Sequence, residues 1–302
     1  MNYIYLLNHK ELFPSVIGVT HRQFELLLPK FSYALRIAEH KKAYEKKRQR
    51  EVGGGRKPTL KTDRQKLFFI LFYYKVYPTF RFNQAIFEFD KRNTQIWKEF
   101  LEPVLFEALG HELELPERKI NSMVGLITIC PDLKQFIVDA AERPVRRPKD
   151  PKDQTKYYSG KKKRHTVKNQ ITISPKSKRI LSVSLTVEGK LHDKKLFEKD
   201  PTVLRAPPKA KGLGDLGYEG VRETNPLISF ITPFKKPRGK ELSETQKITN
   251  KTLSSVRVSV EHVLAYMKHF NILSHTFRNR IPKADQPFVN IACLYNFTRS
   301  YR

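Results

Sequence analysis

Three acidic residues are candidates for chemistry, because each lies where an apolar element ends or turns in a strongly basic chain. Asp139 follows the apolar run at residues 136–138, Asp215 lies in the glycine-rich stretch 214–220, and Glu261 lies near the apolar stripe of a long helical pattern. Carboxylates that converge repel one another and resist ionisation unless a cation neutralises them. Magnesium prefers oxygen ligands and commonly keeps water and phosphate in its shell. Such a trio would suit two Mg²⁺ ions that act on a phosphodiester.

Each acid also has a structural interpretation. Asp139 would cap the end of a strand, and Asp215 would be an ordinary turn aspartate. Glu261 would pair with Arg257, one helical turn earlier. The residue types by themselves leave both interpretations open.

The charge balance indicates a polyanion as partner. The chain has 58 Lys+Arg against 30 Asp+Glu, a formal net charge of +28, and nucleic acid is the first expectation for such a protein. Residues 141–180 alone hold 14 basic and 3 acidic residues, with four basic residues in a row from Lys161 to Arg164. This segment is predicted to contact phosphates, which gives affinity without base specificity. The alternative is a hairpin face that is simply solvated.

Composition excludes several other classes of protein. Hydrophobic residues make up 39%, with 20 Phe and 13 Tyr, so a disordered chain is excluded. The longest apolar run, residues 67–74, is far shorter than the ~20 residues that a membrane span needs. The start shows no secretory signal, and two cysteines are too few for a disulfide framework, so a cytoplasmic protein is expected. Residues 53–57 lack the spacing of a phosphate-binding loop, so no nucleotide cofactor is expected.

Apolar spacing predicts helices throughout the first part of the chain. Residues 1–58 are predicted to be a helical segment that ends in a basic, glycine-rich linker, and residues 59–120 a helix-turn-helix DNA-binding domain with its turn at 90–93. The polar residues expected to face DNA in this domain are Arg92, Thr94, Gln95 and Lys98. The alternative is an ordinary helical hairpin.

Residues 121–302 are predicted to form an α/β domain. Two runs with period two, at 170–174 and 180–187, predict a hairpin, and a helical pattern at 244–269 includes Glu261. Strands that alternate with helices indicate a mixed sheet flanked by helices. The ribonuclease H-like fold is one member of that class.

Four motifs in order resemble the DDE transposases of bacterial insertion sequences. The resemblance is strongest to the insertion-sequence-five group, whose domain is also similar to that of the Harbinger-type transposases of eukaryotes. The motifs are residues 139–144, 158–166, 214–220 and 257–263. The resemblance runs from about residue 124 to residue 301, and residues 59–109 resemble the helix-turn-helix that precedes the domain in this group.

The resemblance implies a ribonuclease H-like fold in which Asp139, Asp215 and Glu261 are the catalytic, metal-binding acids, with two Mg²⁺ ions and Mn²⁺ as a substitute. The implied enzyme binds the terminal inverted repeats of its element, hydrolyses a phosphodiester at each end and joins the freed 3′ hydroxyl to target DNA. A homodimer or larger synaptic complex near the bacterial nucleoid is implied as well. The alternative is a catalytically inactive, transposase-derived DNA-binding protein.

One departure from the family pattern concerns the first acid. The family usually has Gly-Thr after it, whereas Ala140 and Ala141 follow Asp139 here, which removes a hydroxyl but no metal ligand. In the dipeptide His192-Asp193, Asp193 is predicted to cap a helix rather than to take part in chemistry. The remaining residues expected to contact DNA are Arg143, Lys161, Lys162, Lys163, Arg164, His165, Lys168, Arg257 and Lys268.

Overall fold

The computed structural model describes residues 3–45, 58–110, 135–199, 211–224 and 229–301. Their contacts separate two compact units. The helical unit comprises residues 1–113, 268–275 and 286–302, and the sheet unit comprises residues 114–267 and 276–285, each within the described ranges. The predicted glycine-rich linker before residue 58 and the predicted start of the α/β domain near residue 121 lie outside the described residues.

The described helices are α1 (Tyr3–Asn8), α2 (Phe13–Val16), α3 (His21–Glu45), α4 (Asp63–Val76), α5 (Phe80–Phe87), α6 (Lys91–Gly110), α7 (Pro151–Tyr157), α8 (Asp193–Glu198), α9 (Val221–Thr224), α10 (Glu244–Lys268), α11 (Asn271–Ser274) and α12 (Asp285–Ser300). The described strands are β1 (Gln135–Pro144), β2 (Tyr158–Ser159), β3 (Arg164–Ile173), β4 (Ile180–Val183), β5 (Val187–Glu188), β6 (Lys211–Leu213) and β7 (Ser229–Ile231). No helix among these described segments is both long and apolar enough to cross a membrane.

Side-chain caps set the starts of the long helices of the helical unit. The Thr20 hydroxyl accepts from the Gln23 N–H at 3.2 Å while the Gln23 side chain accepts from the Thr20 N–H. Thr62 and Gln65 make the same reciprocal pair at the start of α4. Both satisfy backbone donors that the first helical turn leaves open. Residues 66–74 of α4 are buried on all sides, as their apolar composition predicts.

The carboxy-terminal helix α12 packs within the helical unit through buried polar contacts. The Asn290 side chain donates to the Tyr74 hydroxyl at 3.0 Å and to the Glu102 carbonyl at 2.9 Å. The Gln23 side chain donates to the Thr298 carbonyl at 3.1 Å. The sequence-based prediction assigned α12 to the α/β domain at residues 121–302. It did so because the residues that contact α12 are far from it in the sequence.

The sheet unit is built on a mixed sheet with strand order β2-β3-β1-β6-β7, in which β4 and β5 also pair with β3. Strand β1 is antiparallel to β3 and parallel to β6. Strands β3 and β4 form the predicted hairpin. Helices flank this sheet, so the expectation of an α/β unit preceded by helices is confirmed at this level.

Strand β1 is longer than its apolar run. The sequence placed Asp139 at a strand end, but β1 continues through Pro144 because residues 139–144 pair with residues 166–171 of β3. Asp139 therefore lies in the middle of a central strand. The apolar residues beside it form a core with α8 and the segment that follows β6. The members of this core are Phe136, Val138, Leu181, Phe197, Tyr218, Val221 and Phe230.

Candidate active site

Asp139 lies on β1, and Asp215 follows the end of β6, the parallel neighbour of β1. The ladder between β1 and β6 pairs Ile137 with Leu213, and each acid lies two residues further along its own segment. Adjacent strands are about 4.8 Å apart, so the register alone brings the two carboxylates into the same neighbourhood. The strand pairing thus accounts for the meeting of two acids that are remote in the sequence.

The surroundings of Asp139 disfavour its charged form. Burial raises its pKa from 3.8 to about 6, and the negative charges of Asp215 and Asp193 act in the same direction. The Ala140 N–H, which donates to Asp139 Oδ1 at 2.8 Å, and the positive charge of Arg257 act in the opposite direction. A cation placed between such carboxylates would remove the cause of their repulsion.

Asp215 is also the turn residue that the alternative interpretation expected. Its Oδ1 accepts from the Gly217 N–H at 2.8 Å and caps the short 3₁₀ helix Leu216–Tyr218. This bond fixes the carboxylate beside the end of β6. A structural and a chemical role are compatible, since one oxygen is occupied by the turn and a carboxylate has lone pairs to spare.

The third predicted acid is placed differently. Glu261 is exposed on α10, one turn after Arg257. Arg257 is partly buried, and its Nε is buried with no hydrogen-bond partner among the described residues. Asp139 and Asp215 are therefore neighbours, whereas Glu261 is exposed on α10. Arg257, one turn earlier on the same helix, interacts electrostatically with Asp139.

The donor set suits a hard divalent cation but is incomplete by itself. Asp139 and Asp215 offer carboxylate oxygens beside the end of β6, where burial first and the charge of Asp215 next raise the pKa of Asp139. Over the described ranges, no group of three or more His, Cys, Asp or Glu side chains is close enough to hold a metal ion. Asp139 and Asp215 lie close enough for their charges to interact, and the convergence of all three acids stays a prediction.

Asp193 has a role that the sequence did not predict. The prediction that it caps a helix is wrong: His192 occupies the N-cap position of α8, and no side-chain cap bond is formed there. Asp193 Oδ1 instead accepts from Lys168 Nζ at 2.7 Å. The residue type gives no sign of this pairing, because Lys168 lies on β3 and only the fold brings it to α8.

Four side chains predicted to contact DNA are buried and therefore not available to a phosphate in this structure. Thr94 and Lys98 are 0% and 1% exposed, and Lys98 Nζ pairs with Glu102 at 2.7 Å. Arg143 is 2% exposed and donates to Asn169 and to the Ala284 carbonyl. Burial lowers the pKa of Arg143 to about 9.

Lys168 is the fourth of these buried residues. It is 6% exposed, pairs with Asp193, and donates to the Leu191 carbonyl at 2.8 Å. Lys98 and Lys168 thus pair with acids, and Arg143 donates to a carbonyl and an amide oxygen. A basic residue in the sequence is therefore not by itself evidence of a contact to DNA.

The other predicted DNA contacts include a continuous basic loop. Residues 161–163 join β2 to β3 and Arg164 begins β3; all four are exposed, and His165 follows them with its ring against Tyr158. A cavity of about 570 Å³ beside this loop is lined by residues that include Arg147, His165 and Lys190. On the remaining helices, Arg92, Gln95 and Lys268 are exposed. We name residues 161–164 the basic loop.

Comparison with known proteins agrees with this arrangement. The family described as DDE superfamily endonuclease matches residues 138–296, a stretch that contains all three predicted acids. A probable transposase for insertion sequence element IS702 from Microchaete diplosiphon is 32% identical over 269 residues, which cover 88% of this chain and 89% of that protein. No solved structure matches significantly. The chain therefore belongs to the DDE superfamily of endonucleases, among the transposases of insertion sequences.

Proposed function

We propose that this protein binds the terminal inverted repeats of an insertion sequence and performs metal-dependent phosphodiester hydrolysis followed by strand transfer. The observation that supports this proposal most is that Asp139 on β1 lies close to Asp215, which follows the end of the adjacent parallel strand β6. A basic surface supplies affinity for DNA, and two neighbouring carboxylates supply a reason for a divalent cation to bind beside it.

Asp139, Asp215 and Glu261 are the residues that would hold the metal. The two aspartates define the sheet side of the site, and Glu261 would complete it from α10. Bound Mg²⁺, or Mn²⁺ in its place, would activate an attacking hydroxyl and stabilise the departing oxygen, with two ions per site in our proposal. The fold that we propose for this unit is ribonuclease H-like.

The chain's own residues contribute orientation and charge. The Gly217 N–H holds Asp215 by its Oδ1, and the Ala140 N–H holds Asp139 in the same way. Arg257 places a positive charge near Asp139. In the proposed hydrolysis and in the proposed transfer, these fixed carboxylates would face the same charge distribution, so one set of acids would serve both steps.

DNA binding would involve both units. The basic loop is suited to the phosphate backbone, since Lys and Arg contacts to phosphates provide affinity that does not depend on sequence. Helices α5 and α6, joined by a short polar turn, are proposed as the helix-turn-helix, with Arg92 and Gln95 as its exposed polar residues. Two element ends must meet one target, so we propose a homodimer or a larger synaptic complex.

A cleavage assay tests this proposal. The substrate is duplex DNA that includes the sequences flanking the gene on both sides, incubated with Mg²⁺, with Mn²⁺ or with a chelator. We expect nicking at the element ends that requires the metal and is lost in Asp139→Asn, Asp215→Asn and Glu261→Gln. Asp153→Asn removes an exposed carboxylate on α7 and serves as the matched control with unchanged cleavage.

The same assay separates the alternative function. An inactive DNA-binding protein would bind the flanking duplex and show no metal-dependent cleavage in the wild type. Cleavage that Asp139→Asn leaves unchanged would exclude the assignment of the acids. Cleavage that Glu261→Gln alone leaves unchanged would restrict the catalytic acids to the pair on the sheet.

A further inference from the structure

Lys168 holds Asp193 in a defined orientation at the edge of the candidate site. Its Nζ donates to the Leu191 carbonyl at 2.8 Å and to Asp193 Oδ1 at 2.7 Å. Glu142 Oε1 lies 3.6 Å from the same nitrogen. The lysine side chain is 7% exposed and that of Asp193 is 20% exposed. A buried ammonium with three oxygen neighbours has little rotational freedom, so the carboxylate bound to it is fixed as well.

The second oxygen of Asp193 faces Asp215 across a space that only glycine leaves open. A Cβ at position 217 would lie 2.8 Å from Asp193 Oδ2 and 2.9 Å from Asp215 Oδ1. Both carboxylates therefore lie close to the position that a side chain at residue 217 would occupy. The backbone of Gly217 does not have the positive φ that favours glycine. The close approach of the carboxylates, rather than the backbone, explains the glycine.

We propose that Asp193 is a positioning residue of the acidic site, held by Lys168 so that its free oxygen faces Asp215 and strengthens the attraction of the site for a divalent cation. The inference rests on the proposed function, since it concerns the same cation. Asp193 acts from outside the pair formed by Asp139 and Asp215. It adds negative charge and fixes the turn that Asp215 begins.

The direction of this effect follows from charge and geometry. The negative charge of Asp193 is felt at Asp139, where it adds to that of Asp215. Groups that surround metal ligands typically change metal affinity by about 10- to 100-fold when they are removed. Because Lys168 already compensates one oxygen of Asp193, we expect the lower end of that range.

The test is Mn²⁺ binding to the intact, DNA-free protein by calorimetry, which does not depend on catalysis. Asp193→Asn keeps an oxygen for Lys168 to bind but removes the charge, and we expect Mn²⁺ affinity to fall about tenfold. Gly217→Ala keeps every charge, but its methyl would lie within 3 Å of both Asp193 Oδ2 and Asp215 Oδ1 and must move these carboxylates, so we expect a fall of at least similar size. Asp153→Asn is the control for loss of one exposed carboxylate.

The effects of Asp193→Asn and Gly217→Ala on Mn²⁺ affinity should not be additive. Both substitutions disturb the same neighbouring side chains, so the double variant should lose less Mn²⁺ affinity than the sum of the two single losses. A structural role would instead lower the melting temperature of the metal-free protein and leave Mn²⁺ affinity unchanged. That result in both variants would overturn the inference.

Failure of the inference and failure of the proposed function give different results. If the wild type binds Mn²⁺ and Asp139→Asn weakens that binding while Asp193→Asn and Gly217→Ala do not, the acidic pair remains and the role of Asp193 is refuted. If the wild type does not bind Mn²⁺ at all, the proposed metal-dependent function itself is refuted, and the inference with it.

Discussion

Asp139 on β1 lies close to Asp215, which follows the end of the parallel strand β6. Burial raises the pKa of Asp139 to about 6, and the negative charge of Asp215 adds to this rise. Two acids that are remote in the sequence thus share one electrostatic environment. The arrangement is unfavourable to folding at neutral pH unless a cation is bound. Its effect on the free energy of unfolding and its effect on metal affinity can therefore both be measured.

Asp139→Asn should stabilise the metal-free protein at neutral pH. The folded pKa of about 6 lies above the usual 3.8, so folding favours the protonated carboxyl. The resulting destabilisation is absent below about pH 4, grows as pH rises towards 6 and is complete above it, at about 3 kcal/mol. Asparagine keeps the acceptor for the Ala140 N–H. Urea unfolding in chelator should show the variant more stable at pH 7.5 and equal to the wild type at pH 4.

A constant difference between the two proteins across that pH range would show that the effect of Asp139→Asn is not electrostatic. Added Mn²⁺ should reduce the difference at pH 7.5, because bound metal stabilises only the protein that holds it.

Mn²⁺ affinity should fall steeply on acidification. Below pH 6 the cation has to displace a proton from Asp139, so affinity should fall about tenfold for each pH unit, and it should level off above about pH 7. Calorimetric titrations between pH 5 and pH 7.5 measure this slope. Asp139→Asn should remove the slope along with most of the affinity. A wild-type affinity independent of pH would exclude Asp139 as a ligand.

Lys98→Met should destabilise the helical unit without a direct effect on DNA binding. The Lys98 and Glu102 side chains are 1% and 6% exposed, so removal of the lysine leaves a buried carboxylate without its cation. Loss of one partner of such a pair costs about 3–5 kcal/mol. Lys91→Met, an exposed substitution on the same helix, should change the free energy of unfolding by less than about 0.5 kcal/mol.

Chemical denaturation measures both changes. A Lys98→Met protein that retained full stability and lost DNA affinity would restore the prediction that Lys98 faces DNA.

Local signals in the sequence determined much of what could be predicted. Capping pairs, apolar helix faces and the β3–β4 hairpin depend on residues within a few positions of one another, and all three were observed. The membership of Asp139 and Asp215 in one site came from family motifs. The register between β1 and β6 supplies its physical reason.

The remaining features depend on contacts between distant segments. In the sequence, nothing distinguishes Lys168 from the other basic residues. Only the fold places it against Asp193. Strand β1 extends past its apolar run because β3 pairs with it as far as Pro144, and no pattern within β1 reveals that partner. Lys98 differs, because its partner Glu102 is only four residues away on the same helix.

The basic loop should give a measurable share of the salt dependence of DNA binding. Each phosphate contact contributes about 0.9 to the slope of log affinity against log salt concentration. Lys162→Gln should lower that slope by about this amount, whereas Lys176→Gln, an exposed lysine in the β3–β4 turn, should not. Replacement of all four residues of the loop by glutamine should lower the slope by about three to four. Because these contacts are to the backbone, the ratio of affinities for end-sequence and unrelated duplex should stay nearly constant. A change in that ratio with an unchanged slope would assign the loop to base recognition instead.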